Sequence, residues 1–404
     1  MTRLDDRVAP VESAVNQTAA LVDLEPDDWH ADLDSLATGL VARHRDAFHE
    51  VSPAQFDAAV ARLHERIPRL SGTETLVGFE VITALIGDGH TYIETDHHYR
   101  RFPLELFWYD DQLRVVKPVT DMPRVLGSQL VAVNGVPVEQ IDRELQAVIA
   151  QGENPWYERA HGADRLSCAD VLAALGPLSD LDTGRFTFVD QQDTTFATDI
   201  RSLPPGTAPS WPSPQPDAPL RWRRPGDPLA STRLADGSTI YANFRRYDRL
   251  QDRAARLITQ LLETKAARLI LDLRDNTGGD YTLARQHLIY PIWGLPAINR
   301  PGGLYVLIGR KTYSAAMVTA TDFRQETEAV LVGEPTGARP VGYQESGTFA
   351  LPRSGLRAHC AIRRYRFGKD DDPAVFPDQW IDPDWDQETR GHDPAIDWCL
   401  QQPA

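Results

Sequence analysis

Three short apolar runs in the last third of the chain constrain its fold most strongly. They read RLILDLR at 268–274, LYVLI at 304–308 and AVLVGE at 329–334. Apolar runs of this length, without polar alternation, are typical of strands that are buried on both faces of a sheet. Segments of helical character lie before the first run and after the loops that follow the first two. This alternation predicts parallel, right-handed crossovers and an α/β core.

The rest of the chain divides by texture into segments of different character. Residues 1–78 are predicted to be an N-terminal helical region, with apolar residues at three- and four-residue steps. Residues 79–202 hold short alternating strands, with a turn predicted at Asn134-Gly135. Residues 203–229 are rich in proline and are interpreted as a linker or surface loop, with Arg221, Arg223 and Arg224 in solvent. The α/β core then spans 230–404.

Composition excludes some classes of function. The formal net charge of −16 over 404 residues argues against a nucleic-acid partner, because phosphates would be repelled. No stretch approaches the ~20 apolar residues of a membrane span, and the N-terminus lacks the apolar core of a signal peptide. We therefore expect a cytoplasmic protein, or an extracytoplasmic one if a leader has been removed. The three cysteines are expected to be reduced and packed, and no feature predicts an oligomeric state.

Ser314, in the stretch GRKTYSAAMVTA, lies where the second apolar run gives way to a helix. Serine is a favoured helix N-cap, so a capping role is one interpretation. A nucleophile is the other, and it needs a base, an oxyanion hole and a group that orients the base. The loop DNTGGD supplies candidates for the oxyanion hole in the N–H groups of Gly278 and Gly279, with Ala315 N–H as a second donor.

Among the eleven histidines, His90 in GDGHTYIE is the best placed candidate base, since it follows a glycine turn and opens a predicted strand. A structural role for this histidine is the alternative. No spacing of histidine, cysteine or acidic residues matches a metal site, and HERIP at His64 is not the H-E-x-x-H zinc motif. We expect neither a metal nor an organic cofactor.

Several blocks, in order from about residue 80 to 400, resemble those of the S41 serine peptidases, the family of the C-terminal processing proteases and the tricorn core protease. The blocks are ALIGDGHTYIE, LGSQLVAVNGVPVEQI, LILDLRDNTGGD, KTYSAA, AVLVGEPTGARP and DDDPAVFPDQWIDP with GHDPAIDWCL. The resemblance implies a ClpP/crotonase-like parallel core, a PDZ-like module or its remnant before the linker, and a peptide or protein substrate.

The family has two catalytic versions, and the resemblance favours the tricorn-type one. Arg339 stands where the other branch carries a lysine base, and a guanidinium stays protonated and cannot accept a proton from serine. The tricorn-type version implies His90 as base and an acidic residue near Pro377-Asp378 that orients it. Asp371 falls at that position, with Asp370 and Asp372 as neighbouring alternatives.

Two further expectations follow from the resemblance. Arg339 is a candidate for binding the C-terminal carboxylate of a substrate, and Gly89 stands where tricorn-type sites can carry a polar residue. The alternative to a peptidase is an inactive protein of the same fold that binds a small apolar ligand or a peptide. The two hypotheses differ in whether folding brings His90 and Ser314 within hydrogen-bond reach.

Overall fold

The computed structural model describes residues 24–118, 122–213, 218–369 and 372–403. The helices in these ranges are α1 (Pro26–Arg43), α2 (Pro53–Arg66), α3 (Gly72–Ala84), α4 (Val138–Leu145), α5 (Pro155–Arg165), α6 (Ala169–Leu175), α7 (Leu250–Glu263), α8 (Tyr281–Ala284), α9 (Tyr290–Trp293), α10 (Ala315–Glu326), α11 (Trp385–Glu388) and α12 (Pro394–Gln401). A π-helical turn, Arg285–Ile289, joins α8 to α9. The strands are β1 (Tyr92–Ile93), β2 (Leu104–Tyr109), β3 (Gln112–Pro118), β4 (Gln129–Val133), β5 (Val136–Pro137), β6 (Thr183–Val189), β7 (Thr195–Arg201), β8 (Leu229–Arg233), β9 (Thr239–Phe244), β10 (Arg268–Asp272), β11 (Leu304–Ile308), β12 (Val330–Gly333), β13 (Val341–Ala350), β14 (Arg357–Arg366) and β15 (Gln379–Trp380).

The three apolar runs form neighbouring parallel strands, as predicted. The sheet has the order β15-β12-β11-β10-β9-β8, in which β9 to β12 and β15 are parallel and β8 pairs antiparallel at one edge. Every residue of β9, β10 and β11 is buried, which explains their unbroken apolar sequence. The α/β class is thus confirmed, whereas the ClpP/crotonase-like type stays a prediction.

Helices cover both faces of this sheet. One face packs on α7, α10 and the segment from α8 to α9, and the other packs on α12 through Ile396 and Cys399. Helix α7 buries Leu250, Leu257 and Leu261 as its spacing predicts. The spacing of the stretch LQDRAARLITQLLETK predicts Leu262 on the same face, but this residue is 60% exposed.

The N-terminal half forms a second core. Helices α2 and α3 begin at serines that make capping boxes, Ser52 with Gln55 and Ser71 with Glu74, which satisfy the first free N–H groups. They share one hydrophobic core with an antiparallel sheet of order β2-β3-β4-β6-β7, in which β5 pairs with β4, and with the sheet β1-β14-β13. The predicted turn at Asn134-Gly135 joins β4 to β5 with φ values of 49° and 80°. The PDZ-like assignment and the domain boundaries stay predictions.

Two expectations from composition can be compared with the structure. Cys168, Cys360 and Cys399 are buried with free thiols, as predicted. Among the helices described, none combines the length and the apolar character needed to cross a bilayer. The cytoplasmic location is not tested by either observation and stays a prediction.

The interpretation of Arg221 as a solvated linker residue is wrong. Its side chain is buried, and Nη2 lies 2.7 Å from Glu388 Oε2. Tyr109 donates to the same carboxylate oxygen at 2.7 Å. The part of the proline-rich segment around Arg221 therefore places one cation beside a buried carboxylate.

We expect Arg221→Ala to lower the free energy of unfolding by about 3–5 kcal/mol, because it leaves the Glu388 carboxylate buried without its cation. Urea denaturation measures the change. Arg224→Ala is the matched control: Arg224 pairs with Asp227 at 2.8 Å in an exposed position, so its loss should cost at most about 1 kcal/mol. Equal effects of the two substitutions would contradict the buried role of Arg221.

Candidate active site

Asn276 fixes the shape of the loop after β10. Its buried side chain donates from Nδ2 to Phe244 O at the end of β9 (3.0 Å) and accepts from Gly278 N–H (3.0 Å). Its backbone oxygen accepts from Tyr313 N–H at 3.1 Å. The loops that follow β10 and β11 are thereby joined at the carboxyl edge of the sheet, where such folds place their functional residues.

Ser314 lies at the N-terminus of α10 in a strained conformation, with φ 50° and ψ −125°. It occupies the N-cap position, but its hydroxyl makes no capping hydrogen bond, so the capping interpretation of this side chain is wrong. A non-glycine residue in such a region costs about 1–3 kcal/mol and is found mainly at functional sites. The strained turn directs the hydroxyl to another partner.

That partner is His90, whose Nε2 lies 2.9 Å from Ser314 Oγ. The two residues are 224 positions apart in sequence. His90 lies on the loop between α3 and β1 and is held there through its backbone. Its backbone N–H donates to Asp88 Oδ1 (3.1 Å), and its backbone carbonyl accepts from Ser346 Oγ (2.9 Å). Folding therefore brings the predicted nucleophile and the predicted base within hydrogen-bond reach.

Two residues that the sequence did not identify complete this cluster. Tyr313 Oη lies 3.0 Å from His90 Nδ1 and donates to Glu153 Oε1 at 2.9 Å. Gly89 N–H donates to the same carboxylate oxygen at 2.9 Å. The only sequence signal for Tyr313 is its position directly before Ser314, and Glu153 lies in the segment QGENPW, which follows no recognisable pattern.

Burial shifts the ionisation of these groups in opposite directions. It lowers the pKa of His90 to about 4, although the Asp88 carboxylate acts against this shift. It raises the pKa of Glu153 to about 7, and Asp88 adds to this rise while the donors Gly89 and Tyr313 oppose it. The His90 imidazole is consequently neutral at neutral pH and able to accept a proton.

The predicted oxyanion donors lie beside Ser314, but they are not equivalent. Gly278 N–H donates to Asn276 and is not available to a substrate. Gly279 N–H and Ala315 N–H have no acceptor among the described residues, and Ala315 N lies 3.2 Å from the point where a Cβ on Gly278 would sit. The absence of a side chain at Gly278 thus leaves a space next to Ala315 N–H, whereas the N–H of Gly278 itself is not free to donate to a substrate.

On the peptidase hypothesis, Gly278→Ala is expected to reduce hydrolysis of a peptide substrate by roughly 10²-fold, the usual effect of losing one oxyanion contact. The added methyl group would lie 2.8 Å from Ser314 Cβ, at a φ of 119° that disfavours alanine. Steady-state kinetics measure the loss. Gly226→Ala is the control, because a Cβ there meets no atom within 4 Å, and equal activity of both variants would contradict the role of this space.

Comparisons with other proteins bear on the fold. No protein-family model matches the chain, and a search of curated proteins finds no match. The structure of mature CPAF complexed with lactacystin aligns over 93% of this chain and 97% of its own, with a TM-score of 0.66 and 13% identity. The chain has an S41 peptidase-like fold.

Two further structures align with this S41 peptidase-like fold. A second structure of mature CPAF covers 93% of this chain and 96% of its own, with a TM-score of 0.64 and 12% identity. The photosystem II D1 C-terminal processing protease covers 88% of this chain and 93% of its own, with a TM-score of 0.44 and 15% identity. At such low identity the likeness to mature CPAF establishes the fold and not the activity.

The acidic residue that the S41 resemblance implies is Asp371, which lies outside the described residues together with Asp370. Asp372 is described, and its Oδ2 accepts from Lys369 N–H at 3.3 Å, within a local turn. The orienting role of Asp371 stays a prediction. His90 Nδ1 already faces the Tyr313 hydroxyl at 3.0 Å.

Two cations near the candidate site, Arg339 and Lys311, contact other groups. Arg339 donates from Nη1 to Gly152 O at 2.8 Å, and its backbone N–H donates to Glu153 Oε2 at 3.4 Å. Lys311 Nζ lies 3.9 Å from Glu105 Oε1. Arg339 therefore contributes to the surroundings of Glu153, and its role towards a substrate carboxylate stays a prediction.

Proposed function

We propose that the protein is a serine peptidase, with Ser314 as nucleophile and His90 as general base. The observation that carries the proposal is the 2.9 Å contact between His90 Nε2 and Ser314 Oγ. The strained backbone of Ser314 and the S41 peptidase-like fold support it. The same contact disfavours the alternative of an inactive binding protein, which would not need it.

The reaction follows from the positions of these groups. As Ser314 Oγ forms a bond to the substrate carbonyl carbon, its proton passes to His90 Nε2. Ala315 N–H and Gly279 N–H are the donors we assign to the oxyanion. His90 then gives the proton to the leaving amine as the C–N bond breaks, and a water molecule releases the acyl group by the same steps in reverse order.

A panel of peptides of mixed sequence tests the proposal. Mass spectrometry of the products should show new carboxyl and amino termini, and prior treatment with a fluorophosphonate should abolish them. Absence of products from folded protein, or cleavage that the fluorophosphonate leaves unchanged, would contradict the proposal. Failure of the protein to react with the probe would favour the binding-protein alternative.

A further inference from the structure

A chain of hydrogen bonds continues from the catalytic pair into the interior. It runs from Ser314 Oγ to His90 Nε2 (2.9 Å), from His90 Nδ1 to Tyr313 Oη (3.0 Å) and from Tyr313 Oη to Glu153 Oε1 (2.9 Å). Glu153 is 8% exposed, so the chain ends on a buried carboxylate. No step of the proposed reaction assigns a role to Tyr313 or Glu153.

The chemistry of the last group determines the direction of every bond in the chain. A carboxylate only accepts, so the single hydroxyl proton of Tyr313 is directed at Glu153. The Tyr313 oxygen then presents a lone pair to His90 Nδ1, which must carry the ring proton. His90 Nε2 is left without a proton, in the state that accepts the proton of Ser314.

The surroundings of Glu153 and Tyr313 are built to hold this arrangement. The carboxylate accepts from the backbone N–H of Gly89 at 2.9 Å and of Arg339 at 3.4 Å. Gly89 also leaves room for the tyrosine hydroxyl, because a Cβ on this residue would lie 2.4 Å from Tyr313 Oη. The glycine that replaces a polar residue before the histidine is thus compensated by a hydroxyl from a neighbouring loop.

We propose that Tyr313 and Glu153 are positioning residues of the active site, which hold the ring proton of His90 on Nδ1 and place a negative charge behind the imidazolium that forms during catalysis. The inference rests on the proposed peptidase function. It gives these two residues the orienting task that the family resemblance implies for Asp371.

The pH dependence follows from the ionisation of Glu153, whose pKa burial raises to about 7. The titratable groups next to Glu153 are Tyr313, Tyr157 and Asp88. Glu153 also lines a cavity of about 210 Å³, whose other titratable or charged lining residues include His49, Glu50, Tyr343, Arg339 and Arg364. The orienting charge exists only above the pKa of Glu153. Activity should therefore rise as pH increases through about 7, well above the pKa of about 4 for His90.

We call the chain of hydrogen bonds from Ser314 to Glu153 the relay. Two variants and one control test it by measurement of kcat/KM between pH 5 and 9. Tyr313→Phe interrupts it and should lower kcat/KM by roughly 10²–10⁴-fold, the contribution of general-base catalysis. Glu153→Gln keeps an acceptor but neither charge nor titration. The kcat/KM of Glu153→Gln should be roughly 10–100-fold below that of the parent above pH 7. It should also no longer increase as the pH rises through about 7. Tyr157→Phe, which removes a hydroxyl beside Gly89 but outside the chain of bonds, should retain the wild-type profile.

A measurement on the unmodified protein keeps the inference testable if a variant does not fold. Nitrogen-15 NMR of labelled histidine at pH 8 should show His90 protonated on Nδ1, and a proton on Nε2 would overturn the relay. Wild-type pH profiles for Tyr313→Phe and Glu153→Gln, with activity lost in Asp371→Asn instead, would also overturn it. These results would leave the proposed function intact if Ser314 still reacts with a fluorophosphonate, whereas an unreactive Ser314 would refute the function itself.

Discussion

Ser314→Ala is expected to lower kcat/KM for peptide hydrolysis by about 10⁶-fold, the loss that removing the nucleophile causes in a serine peptidase. The hydroxyl has no other described partner than His90, so its loss should leave folding unchanged. Alanine meets the same backbone strain as serine at φ 50°. Thermal unfolding should confirm an unaltered melting temperature, while progress curves with a cleaved peptide measure the loss.

Ser231→Ala is the matched control for this variant. Like Ser314→Ala, it replaces serine by alanine and removes one side-chain hydrogen bond, which Ser231 Oγ donates to Gln260 Oε1 at 2.5 Å. Unlike Ser314, Ser231 lies on the edge strand β8. The activity of Ser231→Ala should equal that of the parent. A Ser314→Ala variant that cleaves at the parental rate would show that another residue is the nucleophile.

His90→Ala is expected to cause a loss of similar size, because nucleophile and base act as one unit. For the same reason the double variant Ser314→Ala/His90→Ala should be no slower than either single variant. Measuring kcat/KM for all three separates this behaviour from independent, additive contributions. His64→Ala provides a control, because it also removes an imidazole but outside the candidate site. His64 stacks on His30 in the N-terminal helices, with ring centroids 3.9 Å apart.

The outcome that would contradict the pairing is additivity. If the double variant lost activity by the product of the two single losses, Ser314 and His90 would contribute separately and their contact would not be the basis of catalysis. A His90→Ala variant that reacts with a fluorophosphonate as fast as the parent would lead to the same conclusion.

Patterns of local sequence predicted the parallel strands and singled out Ser314 and His90. The unbroken apolar runs of β10 and β11 reflect burial on both faces, which is a property of each strand by itself. Ser314 was singled out because it lies where an apolar run gives way to a helix, and His90 because it follows a glycine turn. Both residues also stand in short blocks that resemble the S41 family. The structure adds their meeting across 224 positions, which no local pattern contains.

The relay and the buried arginine could not be predicted, and for a common physical reason. Glu153 and Tyr313 are 160 positions apart in sequence. Each acquires its role only because folding buries the two side chains next to each other. Arg221 likewise looks solvated in a proline-rich segment until Glu388, 167 positions away, is buried next to it. Long charged and aromatic side chains are compatible with both a surface and an interior, so their partners decide where they lie.

The most direct test of Ser314 as the nucleophile is the mapping of a fluorophosphonate adduct on the folded protein by tandem mass spectrometry. We expect one adduct, on the peptide that contains Ser314, and a much slower reaction in His90→Ala. An adduct on a different serine with Ser314 unmodified, or a folded protein that takes up no probe, would contradict it.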